Sequence, residues 1–226
     1  MSKESDQLKA RLRLVVLTDP QPAAGSLVDV VTECLEAGCR AIQLRDKEAS
    51  ATDLYRQALE LLPLIRKHDA LLFVNDRLDV ALAAGANGVH LGPDDIPVEA
   101  VRELVPDGFL IGYSTDDPAV GRAAAAAGAD YLGVGAVFGT TSKPGLQDEA
   151  IGPGRVGEVV RSSGIPCVGI GGITEDNAGA VAVQGAGVAV LGAVMHAKRP
   201  GNVVSGILRE VSRAASEPAA RHQNDL

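Results

Sequence analysis

Eight short runs rich in Val, Ile and Leu recur along the chain, at residues 12–17, 39–44, 70–74, 88–91, 109–113, 131–134, 165–170 and 188–191. Eight longer segments follow them in turn, at residues 27–37, 52–67, 78–84, 98–104, 118–127, 154–161, 175–184 and 203–215, and read as helices by apolar period or by composition. Strict strand–helix alternation calls for a parallel sheet, because each helix carries the chain back to the end at which the last strand began. Eight such units are the number that closes a (β/α)8 TIM barrel. An open doubly wound sheet would produce the same alternation, but the strand count and the length of 226 residues favour the barrel.

Punctuation supports the count. Ala37-Gly38, Ala84-Gly85, Ala127-Gly128 and Gln184-Gly185 each set Gly after a helix and before a strand, where a left-handed stop is needed. The 26 glycines, the 3% aromatic content and the dominance of Val, Leu, Ile and Ala suit buried parallel strands. One domain over residues 1–226 is expected, with a core of about 12–215 and loose polar termini at 1–11 and 216–226.

The net charge of −8, with 21 scattered Lys and Arg, argues against a nucleic-acid surface. Cys34, Cys39 and Cys167 lack zinc spacing and read as packed thiols of a reducing compartment. No apolar run approaches the ~18 residues of a membrane span, and residues 1–13 are polar, so a cytoplasmic protein is expected. A homo-oligomer stays open.

In a barrel the C-terminal strand ends converge on the working face. The second strand ends in Gln43-Leu44-Arg45-Asp46-Lys47, the third in Asn75-Asp76-Arg77, and the fourth carries His90 with Asp94-Asp95 beyond it. The fifth is followed by Ser114-Thr115, the sixth by Thr140-Thr141-Ser142-Lys143, the seventh by Gly169-Ile170-Gly171-Gly172, and the eighth by Gly192. Asp76 and Asp95 follow adjacent strands about 4.8 Å apart, so both carboxylates can approach one hard cation such as Mg²⁺. The alternative is that each caps the following helix. Arg45, Lys47 and Lys143 add three cations to the same face, enough to balance much of a diphosphate. Gln43, Arg45 and Lys47 alternate toward the barrel mouth, which leaves Asp46 pointing elsewhere.

The glycines after strand seven, with Gly192 after strand eight, offer backbone N–H groups for a phosphate monoester at the start of the next helix. The polar loop over residues 139–152 reads as a flap over the ligand, and His90 as a satisfied interior residue. Two phosphorylated small-molecule substrates are implied.

These strand ends resemble the thiamine phosphate synthase family over roughly residues 13–195. The pattern Q-L-R-[ED]-K falls on Gln43 to Lys47, N-D-R on Asn75 to Arg77, G-V-H-L-G-x-x-D on Gly88 to Asp95, and T-x-[TS]-K on Thr140 to Lys143. The family joins an aminopyrimidine methyl diphosphate to a thiazole ethyl phosphate and releases pyrophosphate. The resemblance implies that Gln43, Arg45, Lys47, Asn75 and Lys143 hold the pyrimidine diphosphate and that Asp76 and Asp95 hold Mg²⁺. It sets Ser114 near the reacting pyrimidine, counts Ser114 and Lys143 as catalytic, and assigns the thiazole phosphate to Thr140, Ser142, Gly172 and the Leu191-Gly192 backbone. The implied mechanism is dissociative, with pyrophosphate leaving before the thiazole nitrogen attacks.

Three departures stand out. Leu191-Gly192-Ala193 replaces the family's V-S-A, removing a hydroxyl. Ala136 and Gly139 stand in its G-P-[IV]-[FY]-P segment. Ser142-Lys143-Pro144-Gly145 is similar to loops of the related thiazole tautomerases, which lack an equivalent of Asp76 and carry a histidine where this chain has Asp116. A tautomerase-like barrel and a non-catalytic phosphate-binding paralogue are therefore the competing readings.

Overall fold

The computed structural model describes residues 3–139 and 150–216. Eight parallel strands, β1 Leu14–Leu17, β2 Ala41–Leu44, β3 Leu71–Asn75, β4 Gly88–Leu91, β5 Leu110–Ser114, β6 Tyr131–Gly135, β7 Cys167–Ile170 and β8 Gly187–Val190, pair in sequence order. β8 pairs back onto β1, from Leu14 opposite Val188 to Val16 opposite Val190, and closes the barrel. The expected (β/α)8 fold is the fold observed.

Ten helices accompany the strands among the described residues: α1 Lys3–Arg11, α2 Leu27–Glu36, α3 Ala51–Lys67, α4 Leu78–Ala84, α5 Val98–Leu104, α6 Pro118–Ala126, α7 Gly152–Ser163, α8 Ala178–Ala182, α9 Gly192–Met195 and α10 Pro200–Ser216. Local chemistry sets several boundaries. Ser26 and Asp29 form a reciprocal capping box on α2, and Asp117 accepts from the Ala119 and Val120 amides at the start of α6, with Pro118 in the first turn. The four expected glycine stops, Gly38, Gly85, Gly128 and Gly185, all have positive φ.

Strand side chains sort by parity into two cores. Leu14, Val16, Ile42, Leu44, Leu72 and Val74 face the helices, whereas Val15, Leu17, Ala41, Leu71, Phe73, Tyr131, Val168 and Ala189 fill the barrel interior. Each α10 residue among Val204, Ile207, Val211 and Ala214 is buried, the three- and four-residue spacing of one helix face.

Two expectations need correction. Residues 3–11 are not a loose terminus: α1 lies across the N-terminal end of the barrel, where Leu8 packs on the interior cluster and Arg11 grips both oxygens of Asp69 at 2.8 Å. Its apolar content is too low for period to reveal it, so the tertiary anchors decide. The helix expected over 175–184 is only α8, because Asn177 instead ties the preceding turn, accepting from the Thr174 amide and donating to the Gly172 carbonyl at 2.9 Å each.

Candidate functional site

The strand ends build two polar clusters at the C-terminal mouth. The first joins Asn75, Asp76, Asp95 and Lys47. Asp76 follows β3 in a left-handed backbone conformation, with φ of 60°, which a short polar side chain tolerates better than most. Burial and the neighbouring Asp95 carboxylate, with which Asp76 shares a hydrogen bond, raise its pKa; Lys47 and an Asn75 hydrogen bond oppose the rise. Neither aspartate caps a helix: the cap positions of α4 and α5 are Arg77 and Pro97, neither making a side-chain cap bond, and Asp95 turns back to accept from the Gly92 amide at 2.6 Å. The capping alternative is thereby removed. Two carboxylates held against each other's charge are a donor set suited to a hard divalent cation, with remaining positions left to ligand oxygens and water. Among the described residues no group of three or more His, Cys, Asp or Glu could enclose a metal by itself.

The second cluster is a buried hydrogen-bonded chain. Gln43, only 4% exposed on β2, lies close enough to Tyr131 to influence its ionisation; the Tyr131 hydroxyl reaches His90 Nδ1 at 2.9 Å, and His90 Nε2 reaches Ser114 Oγ at 2.8 Å. Burial lowers the His90 pKa from 6.5 to about 4, so the ring is neutral at physiological pH, as a satisfied interior histidine should be.

That burial has a measurable consequence. As pH falls from 6.5 toward 4 the unfolded chain takes up a proton at this position before the folded one does, so stability drops across that window. The loss attributable to His90 is on the order of 3 kcal/mol from a shift of this size. Urea unfolding at pH 7 and pH 4.5 should show a smaller stability difference in His90→Gln than in the parent protein. An unchanged difference would contradict the buried neutral ring.

Arg45 leaves β2 half-buried. Its backbone is clamped by the fully buried Thr18, whose hydroxyl accepts from the Arg45 amide at 2.8 Å and donates to the Arg45 carbonyl at 3.0 Å. Among the described residues no hydrogen bond or ion pair engages the Arg45 guanidinium. Asp46 accepts from the Glu48 and Ala49 amides and faces away, as its parity required. Arg77 pairs with Asp79 at 2.6 Å and is likewise outside the clusters.

Across the mouth, Gly172 follows β7 with φ of +64°, and a Cβ there would lie 2.5 Å from the Gly139 carbonyl and 3.0 Å from Phe138 Cβ. Both the left-handed backbone and the close approach require glycine. The segment after Gly172 does not open a helix directly, contrary to the expectation that these glycines start one: α8 begins six residues later, at Ala178. Leu191 and Gly192 follow β8, and Gly192 opens the short α9, which was too brief for sequence period to show. Thr140, Ser142, Lys143 and residues 140–149 of the flap expected over 139–152 lie outside the described residues.

Sequence reading missed Thr18 and Tyr131. Tyr131 had a signal, a rare aromatic opening a strand two residues before inward-facing Gly133. Thr18 had one also, as the polar residue directly after the first strand.

A family model described as thiamine monophosphate synthase matches residues 14–194. The chain belongs to the thiamine monophosphate synthase family. It is 44% identical over 195 residues to a thiamine-phosphate synthase of Coprothermobacter proteolyticus, covering 85% of this chain and 92% of that one. To the thiamine-phosphate synthase of Haloarcula marismortui it is 45% identical over 189 residues, covering 82% and 90%. The solved thiamine phosphate pyrophosphorylase of Pyrococcus furiosus superposes with a TM-score of 0.83 at 40% identity, covering 92% of this chain and 98% of that one. Family membership makes the chain a transferase acting on small molecules. No helix among the described residues is long and apolar enough to cross a membrane.

Proposed function

We propose that this enzyme joins the aminopyrimidine methyl diphosphate to the thiazole ethyl phosphate, forming thiamine phosphate and pyrophosphate, with Mg²⁺ held between Asp76 and Asp95. The observation that carries the reading is the first cluster: two carboxylates set against each other beside Lys47, neither spent on a helix cap. Two such carboxylates can share a proton, which the raised Asp76 pKa reflects, or share a cation; a bound cation relieves their repulsion while keeping both ionised.

When bound, Mg²⁺ supplies positive charge to the diphosphate oxygens. Arg45, Lys47 and Lys143 supplement that charge, Asn75 and Gln43 orient the pyrimidine half, and Ser114 faces it. The carbon–oxygen bond breaks first and its electron pair leaves with pyrophosphate; the aminopyrimidine ring stabilises the methylene cation, and the thiazole nitrogen lone pair forms the new carbon–nitrogen bond. The protein then needs no nucleophile of its own. Cations placed where negative charge develops suffice.

The thiazole phosphate is assigned to Gly172, the Leu191-Gly192 backbone, Thr140 and Ser142. The close approach of Gly139 to Gly172 supports this grouping, since Thr140 follows Gly139 in the chain. Gly192 in place of the family's serine leaves that phosphate to backbone donors and the loop hydroxyls. A tautomerase reading is disfavoured by the presence of Asp76.

Magnesium-dependent pyrophosphate release with both substrates supplied tests the assignment; tight binding without release would favour a binding protein. Arg45→Ala should weaken diphosphate binding about ten- to hundredfold, the value of a charge-assisted contact, and leave thiazole phosphate binding nearly unchanged. Calorimetric titration of each ligand separately would read this, and equal losses would argue against a two-sided site.

A further inference from the structure

The chain Tyr131–His90–Ser114 has a direction. Tyr131 is fully buried, and burial pushes its pKa up, with Gln43 drawing it partly back down. A buried phenol proton left without an acceptor is costly, and His90 Nδ1 lies within hydrogen-bond distance at 2.9 Å, so the Tyr131 hydroxyl donates its proton there. A neutral imidazole accepting at Nδ1 carries its proton on Nε2, which faces Ser114 Oγ. Ser114 then accepts from His90 and keeps its own hydroxyl proton to give away. With the opposite tautomer, Ser114 would spend that proton on His90 and could only accept.

The surroundings are shaped for this chain. A Cβ at Gly112 would overlap Tyr131 Cζ and His90 Nδ1, and one at Gly133 would lie 3.0 Å from His90 Cε1 and 3.6 Å from Ser114 Oγ. Phe73 packs on Tyr131 with ring centroids 5.0 Å apart, and the His90 and Tyr131 rings lie 5.4 Å apart. Ser114 is the half-buried end of the chain, at the C-terminal end of β5 on the mouth of the barrel.

We propose that Tyr131 and His90 are positioning residues that fix Ser114 as a hydrogen-bond donor toward the pyrimidine substrate. The proposal rests on the synthase reading for the identity of that substrate, but the tautomer on which it depends is a property of the free protein. His90 acts through Ser114, not as a base.

Two measurements test it. Nitrogen-15 NMR of histidine-labelled protein, with His90 assigned through His90→Asn, should show the proton on Nε2. Tyr131→Phe, which keeps the ring and removes one hydroxyl, should move the Nδ1 resonance toward that of an unbonded ring nitrogen. A proton on Nδ1 in the parent protein, or no movement in Tyr131→Phe, overturns the relay. Second, Tyr131→Phe should lower kcat for pyrophosphate release about five- to tenfold, the value of one hydrogen bond, with little change in KM for the thiazole phosphate. In a Ser114→Ala background it should cost almost nothing more, because the donor it orients is gone. Additive losses would mean that Tyr131 only supports the barrel core and would overturn the proposal. Absence of pyrophosphate release from the parent protein would reject the synthase reading instead, while the NMR result would still decide the relay.

Discussion

Asp76→Asn should reduce turnover about a thousandfold, because a metal-held charge on a departing diphosphate is worth several kcal/mol and each ~1.4 kcal/mol is tenfold in rate. The same substitution should make the metal-free protein more stable. Burial and Asp95 both disfavour the ionised Asp76 side chain, so at neutral pH the folded state carries a penalty that the unfolded chain escapes. The sign follows from the raised pKa: stability is greatest below the ordinary aspartate range and falls as pH rises through the folded value. Asparagine removes the charge and still tolerates the left-handed backbone at φ 60°. Thermal unfolding in chelator, compared with pyrophosphate release across a magnesium series, separates the two effects. Near-normal turnover at low magnesium, or a lower melting temperature for the metal-free variant, would reject the metal assignment. A gain in stability paired with a loss of activity marks a residue kept for chemistry.

The second large effect is structural. Gly112→Ala should destabilise the protein by about 3 kcal/mol or more, because its Cβ would occupy the space of the Tyr131 and His90 rings, which have nowhere to retreat inside a closed barrel. In a protein of this size that corresponds to a fall in Tm of roughly 6–12 °C. Displacing either ring also breaks the connection to Ser114, so kcat should fall with stability. Gly154→Ala is the natural comparison: it lies exposed in α7 with no atom within 4 Å of an added Cβ, and should stabilise by about 0.5–1 kcal/mol. Equal effects of the two substitutions would contradict the packing described for the barrel interior.

The two aspartates show where reading the sequence stops. Spacing after adjacent strands allowed either a shared cation or two separate helix caps, and nothing in the residues chose between them. The choice lies in side-chain direction: Asp95 folds back to Gly92, and Asp76 sits beyond the end of β3 with no free amide of α4 in its grasp. Gln43 illustrates a different gap. Its parity turned it to the barrel mouth, but its partner Tyr131 is four strands away, and such a pair exists only once the sheet has closed on itself. Arg45 and Lys47 could be singled out as candidates because a charged residue directly after an apolar strand has few roles other than solvation or ligand contact.

What the sequence determined by itself was the order of eight strands and eight helices, the closed barrel they imply, and the polar strand ends that carry the family's motifs. Those are local facts, set by apolar period, glycine stops and caps, and each needs only a few neighbouring residues. The tertiary structure alone decided that α1 covers the bottom of the barrel, that Asp76 and Asp95 meet, and that Tyr131, His90 and Ser114 form one chain. Each of these joins residues distant in sequence through a hydrogen bond or a charge, and such contacts depend on distances that only the folded barrel defines.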